Sequence, residues 1–126
     1  MSLELTKAEE KVMKILWSVK RGLIRDVVAK YDDPKPAYTT VATIIKILEK
    51  KGFVGRSPVA NSYEYYPVVE KSEYTKGFMR SFVKNYFSNS YKNLVSELSS
   101  DDEMTTQEME ELIEYFKNKI ETKNKK

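Results

Sequence analysis

Cysteine and histidine are both absent from this 126-residue chain. Without Cys there is no disulfide framework, no thiolate nucleophile and no sulfur-ligated zinc or iron–sulfur site. Without His there is no Ser-His-Asp or Cys-His machinery and no imidazole ligand. Asp and Glu oxygens remain for metals, and carboxylate, Lys or Tyr chemistry remains for catalysis. The expectation is a binding protein rather than an enzyme, with no cofactor and no metal. Long apolar runs are missing too. None approaches the roughly 20 residues of a membrane span, so no membrane insertion is expected. The first residues, MSLELTKAEEKVMK, are acidic and amphipathic, unlike a secretory signal, so the expected location is the cytoplasm.

What is present belongs to a folded domain. Apolar residues make up 40% and charged residues 33%, a balance that favours a core over disorder. The length fits one domain, or one domain with a helical appendage. Net charge is only +3, but it is unevenly spread. Residues 1–67 carry 12 basic and 8 acidic side chains, and residues 68–126 carry 10 and 11. Between Lys35 and Arg56 five bases (Lys35, Lys46, Lys50, Lys51, Arg56) face one acid, Glu49. Between Glu97 and Glu114 stand eight acids and no base. A basic head attracts phosphate.

Patterning supplies the elements. Thr6 followed by Glu9 has the spacing of a capping box. Leu5, Ala8, Val12, Ile15, Leu16 and Val19 then recur at helical intervals to about Lys20. Leu23, Ile24, Val27, Val28 and Tyr31 make a short second helix, and Asp32–Pro36 a tight turn. A third helix is expected from Tyr38 to Lys51, stopped by Gly52. Val41, Ile44, Ile45 and Leu48 form its core stripe. Phe53–Pro58 and Tyr63–Val68 read as a hairpin joined by Val59–Ser62, with Pro58 and Pro67 restricting it to an edge. From Glu70 the chain is helical to Leu98. Ser99–Asp102 breaks it, and Thr105 with Glu108 caps a last helix. Asp101-Asp102-Glu103 lacks the alternation and the Gly of a Ca²⁺ loop and is expected as an acidic linker.

The fold class is therefore mainly α with a small β-hairpin: a winged helix-turn-helix (1–69), a C-terminal helical dimerisation arm (70–121) and a frayed basic tail (122–126). In such modules the third helix enters the major groove and the hairpin touches nearby backbone. At ~100° per residue, Thr39, Thr43, Lys46 and Lys50 share the face opposite the core stripe, with Ala42 beside them. Thr39, Thr40 and Thr43 can meet bases or phosphates, and Lys46 and Lys50 phosphates. Trp17 is expected to pack helix 1 rather than stack on a base. In the arm, Tyr74, Phe78, Phe82 and Tyr86 form a wide stripe flanked by Phe87. One arm cannot bury this together with Leu94, Leu98, Leu112, Ile113 and Phe116, so a homodimer core is expected. Two other functions fit the same residues. One is a protein-interaction adaptor, which would not need the basic excess. The other is a ligand-responsive regulator with a pocket in the aromatic arm.

AEEKVMKILW (8–17), TTVATIIK (39–46), LEKKGF (48–53) and YYP (65–67), in this order and spacing, resemble the BlaI/MecI/CopY family of penicillinase- and copper-type repressors. The resemblance spans nearly the whole chain. It implies a homodimeric repressor that binds double-stranded operator DNA at an inverted repeat, with interlocked C-terminal helices. By position it places Tyr38, Thr39, Thr40, Ala42, Thr43 and Lys46 near DNA, and Arg56 and Tyr63 of the wing near its backbone. It also implies a partner, a membrane sensor-protease that cuts the arm, usually at Asn-Phe. Here that position reads Glu97-Leu98. Ala42 and Ile47 stand where relatives often carry longer polar side chains, and no Cys is present for a copper branch.

Overall fold

The computed structural model describes residues 4–125. Its elements are α1 (Lys7–Val19), α2 (Ile24–Ala29), α3 (Tyr38–Lys50), β1 (Val54–Val59), β2 (Ser62–Pro67), α4 (Lys71–Phe87), α5 (Tyr91–Leu98) and α6 (Thr106–Asn124). The chain is mainly helical, with one two-stranded antiparallel hairpin. It divides into two compact units, one ending at Met79 and one starting at Arg80. The division falls inside α4 rather than ahead of it, where the sequence pattern places the boundary.

In the first unit, Thr6 caps α1 as its spacing predicts. The Thr6 Oγ1 accepts from the Glu9 amide at 3.1 Å, and the Thr6 amide donates to the Glu9 carboxylate at 2.9 Å. Val12, Met13, Ile15 and Leu16 are buried, and Ala8, counted in the predicted stripe, is exposed. Val41, Ile45 and Leu48 of α3 meet them in one core with Val27, Phe53, Tyr65 and Tyr74. The α2–α3 connection takes residues 30–37, longer than the expected tight turn. Gly52 follows α3 with φ of 85°, the left-handed position that glycine adopts without steric cost.

The hairpin is closed more tightly than the pattern indicates. Val59 pairs with Ser62, leaving Ala60 and Asn61 as the whole turn. Ala60 takes φ of 53° there, which a tight two-residue turn requires of a central residue. A third strand position is not visible in the sequence. The Gly22 amide donates to the Tyr65 carbonyl at 3.0 Å, and the Tyr65 amide donates back to the Gly22 carbonyl at 2.8 Å. The wing is thereby tied to the α1–α2 connection.

The second unit departs from the expected continuous helix. Ser88 and Asn89 take φ of 49° and 65°, and α5 restarts after Ser90. Ser and Asn hydrogen-bond their own backbone and so favour breaks and caps. Ser90 Oγ accepts from the Asn93 amide at 3.0 Å. The predicted Thr105–Glu108 box is present at the start of α6. That helix runs to Asn124, into the stretch expected as a frayed tail. Thr122 Oγ1 donates to the Asn118 carbonyl at 2.9 Å, and Glu121 meets Lys125 at 3.9 Å. Lys126, the last residue of that expected tail, lies outside the described residues. No helix among the described residues is long and apolar enough to cross a membrane.

Glu9 has a second role beyond its cap. It is 5% exposed, and Lys51 donates to it from the end of α3 at 2.7 Å. Burial pushes its pKa up, but the Lys51 and Thr6 hydrogen bonds and the Lys51 charge outweigh burial and hold the carboxyl below its ordinary value of 4.5. A depressed folded-state value stabilises the fold above the unfolded value, and this is lost as pH falls through the folded one. Glu9→Gln should therefore cost about 1–2 kcal/mol at pH 7 in denaturant titrations. That gap should close as pH drops from about 5 to about 3.

Candidate nucleic-acid interface

Burial fixes the rotation of α3. Val41, Ile45 and Leu48 are fully buried, so the opposite face must meet solvent. Thr39, Thr40, Thr43, Lys46 and Lys50 are exposed or half-exposed there, and Tyr38 is 55% exposed at the helix start. Ala42 is half-buried against the core. Ala37, the N-cap residue, supplies no side-chain cap to the first-turn amides. Those donors and the positive end of the helix dipole are suited to a phosphate. The Thr43 hydroxyl donates to the Thr39 carbonyl at 2.9 Å. Its hydrogen is thus engaged within the helix.

The wing holds two arginines in similar settings. Arg56 Nε lies 3.1 Å from a Glu49 oxygen, and its guanidinium sits 4.2 Å from the Tyr63 ring centre. Arg56 and Tyr63, the two wing residues singled out from the resemblance, are therefore stacked on one another. Arg21 has no such signal in the sequence. It donates to Glu64 at 2.7 Å and to Ser57 Oγ at 3.0 Å, and lies 4.6 Å from the Tyr66 ring centre. Gly55 makes room for that ring, because a Cβ there would meet it at 2.7 Å. Arg21 is far from the hairpin in sequence, and no local motif marks it.

Of the five bases between Lys35 and Arg56, three are engaged within the chain. Lys35 Nζ donates to the carbonyls of Ala29 and Tyr31, closing the end of α2. Lys51 pairs with Glu9 and Arg56 with Glu49. Among the described residues, Lys46 and Lys50 form no ion pair, and both stand on the outer face of α3. The basic excess is thus thinner than its count and concentrated on one helix.

Trp17 packs rather than projects. Its Nε1 donates to the Val69 carbonyl at 2.9 Å, and its ring lies 5.6 Å from that of Tyr74. Tyr74, expected at a dimer interface, is instead buried in the first unit, 6.3 Å from the Phe53 ring. Its hydroxyl donates to Glu10 at 3.0 Å. Burial first, and the Glu10 carboxylate second, push that hydroxyl up to about 12. Trp17, Tyr74 and Phe78 with Glu10, Lys14 and Lys71 line an open groove of about 650 Å³, formed equally by α1 and the start of α4.

The other expected interface residues lie on open faces. Phe78, Phe82, Tyr86, Leu98, Leu112, Ile113 and Phe116 are exposed, Tyr86 at 74%. Phe87 and Leu94 are half-buried. Among the described residues of the second unit, Val83 alone is buried. A unit with so little interior of its own leaves a large apolar area to water.

A three-helix head whose third helix shows a cationic face beside a tethered hairpin is a winged helix-turn-helix, the DNA-binding module of transcription regulators. The family profile described as Penicillinase repressor matches residues 5–118, and the chain belongs to this family of transcriptional repressors. It is 27% identical over 110 residues to the methicillin resistance regulatory protein MecI of Staphylococcus aureus (strain N315), covering 86% of this chain and 89% of that protein. It is 24% identical over 126 residues to the penicillinase repressor of Bacillus licheniformis, covering 98% and 94%. Among solved structures, the oxidized form of MarR from E. coli aligns with a TM-score of 0.47 at 21% identity, covering 94% of this chain and 76% of that one.

Proposed function

We propose that this repressor acts in the cytoplasm as a homodimer on an inverted-repeat operator, with α3 in the major groove and the hairpin against the flanking backbone. In this arrangement Tyr38, Thr39, Thr40, Ala42 and Thr43 face bases and the nearest phosphates. Lys46, Lys50, Arg56 and Tyr63 hold the backbone. The observation that carries the proposal is the outer face of α3, where Lys46 and Lys50, without an ion pair among the described residues, stand on a helix that the core locks in rotation. The second copy would cover the apolar faces of α4, α5 and α6. Cutting of the arm by a membrane sensor-protease would release the operator. The Glu97–Leu98 bond lies in the last turn of α5, and the exposed stretch at 100–103 comes directly after that helix.

Salt dependence tests the groove assignment. Each phosphate contact contributes about 0.9 to the slope of log affinity against log salt. Lys46→Ala and Lys50→Ala should each weaken binding on every DNA sequence and lower that slope by about 1. Unchanged slopes in both variants would remove α3 from the interface.

A further inference from the structure

We infer that α3 reads thymine through its C5-methyl group, using the methyl of Thr43 and the side chain of Ile47. This rests on the proposal that α3 occupies the major groove. Ile47 is 42% exposed, whereas Val41, Ile45 and Leu48 on the same helix are fully buried. Nothing in the first unit's core calls for it. Thr40, Thr43 and Ile47 stand at i, i+3 and i+7, one line along the helix surface. Thr43 sends its hydroxyl hydrogen to the Thr39 carbonyl, so toward a base it presents its methyl and the acceptor side of its oxygen but no hydrogen-bond donor. The helix YTTVATIIKILEK contains no Arg, Asn or Gln, the side chains that read guanine and adenine by paired hydrogen bonds.

The neighbours identify the occupant. Lys46 precedes Ile47 and Lys50 lies one turn on, both without ion pairs among the described residues. An apolar line running beside two such cations matches a surface that is anionic overall yet apolar at points. In the major groove, the apolar point is the thymine methyl. Glu49 lies on the other flank of the cationic stripe and ties that side to the wing through Arg56. The Ile47 flank is left open to the bases.

The test removes the methyl from the DNA rather than from the protein. A duplex enriched by the full chain from a randomised pool is remade with each thymine in turn replaced by uracil. One or more half-site positions should lose about three- to five-fold in affinity, the worth of one buried methyl. Thr43→Ser keeps the hydroxyl, and Ile47→Ala shortens an exposed side chain. Each should bind the thymine duplex about three- to five-fold less tightly and become indifferent to uracil at its own position. Lys46→Ala should weaken both duplexes and keep their ratio. Uracil duplexes that all bind like the parent, or a thymine preference that survives both variants, would overturn the inference. A full chain that binds no duplex at all would overturn the repressor proposal, and this inference with it.

Discussion

A chain ending at Met79 should sediment as a monomer and bind a two-half-site operator about 10²–10⁴-fold more weakly than the full chain, the range by which linking two weak sites raises affinity. The full chain should sediment at twice its 14.7 kDa. The cut belongs at Met79 because the first unit continues into α4. Trp17 donates to the Val69 carbonyl, and Tyr74 is buried beside Phe53 and bonded to Glu10. A cut ahead of Glu70 would remove Tyr74 and damage the reading head as well as the arm, confounding the two effects. Removing only residues 80–126 takes away the exposed faces of Phe82, Leu112 and Phe116 and leaves the α3 core intact. A monomeric full chain, or a shortened chain that keeps full affinity, would separate the arm from operator binding.

Phe53→Ala should destabilise the head by about 3–5 kcal/mol, the range for removing a fully buried ring. Phe53 is among the largest fully buried side chains and stands where α3 hands over to the wing. Its amide donates to the Leu48 carbonyl at 2.9 Å, and its carbonyl accepts from the Val68 amide at 2.7 Å. The ring fills the space between these segments and Tyr74. A domain of this size has only about 5–15 kcal/mol in total, so the variant should unfold at far lower denaturant. Phe53→Leu, which keeps most of the volume, should cost less than about 1.5 kcal/mol. Equal losses in the two variants would place the effect in something other than the missing volume.

The elements that local chemistry dictates are visible in the sequence. Thr6–Glu9 and Thr105–Glu108 cap their helices as their spacing predicts, because a capping box is complete within four residues. The core face of α3 comes from periodicity, since a 3.6-residue repeat of Val41, Ile45 and Leu48 has one burial solution. The break at Ser88–Ser90 is open to the same reasoning, since Ser and Asn there supply a cap and left-handed residues. The hidden features depend on distant partners. Gly22 pairing with Tyr65, Arg21 lying on Tyr66, and Glu9 taking Lys51 each join segments far apart in the chain. The candidate site shows the same division. Its exposed residues can be chosen by helical phase, but Lys35, Lys51 and Arg56 cannot be known as engaged until the fold brings their partners near. Tyr74 shares a stripe with Phe78 and Phe82, and only tertiary contact with Trp17 and Phe53 assigns it to the head.

Footprinting on the duplex that the chain enriches from a randomised pool tests the central claim most directly. Two α3 helices related by a two-fold axis should protect two half-sites of inverted sequence, with centres about 34 Å or a multiple apart on one face of the duplex. A chain carrying both Lys46→Ala and Lys50→Ala should lose the two protected patches together. Enrichment of no sequence, or protection of a single patch without two-fold symmetry, would contradict a dimer that reads DNA through α3.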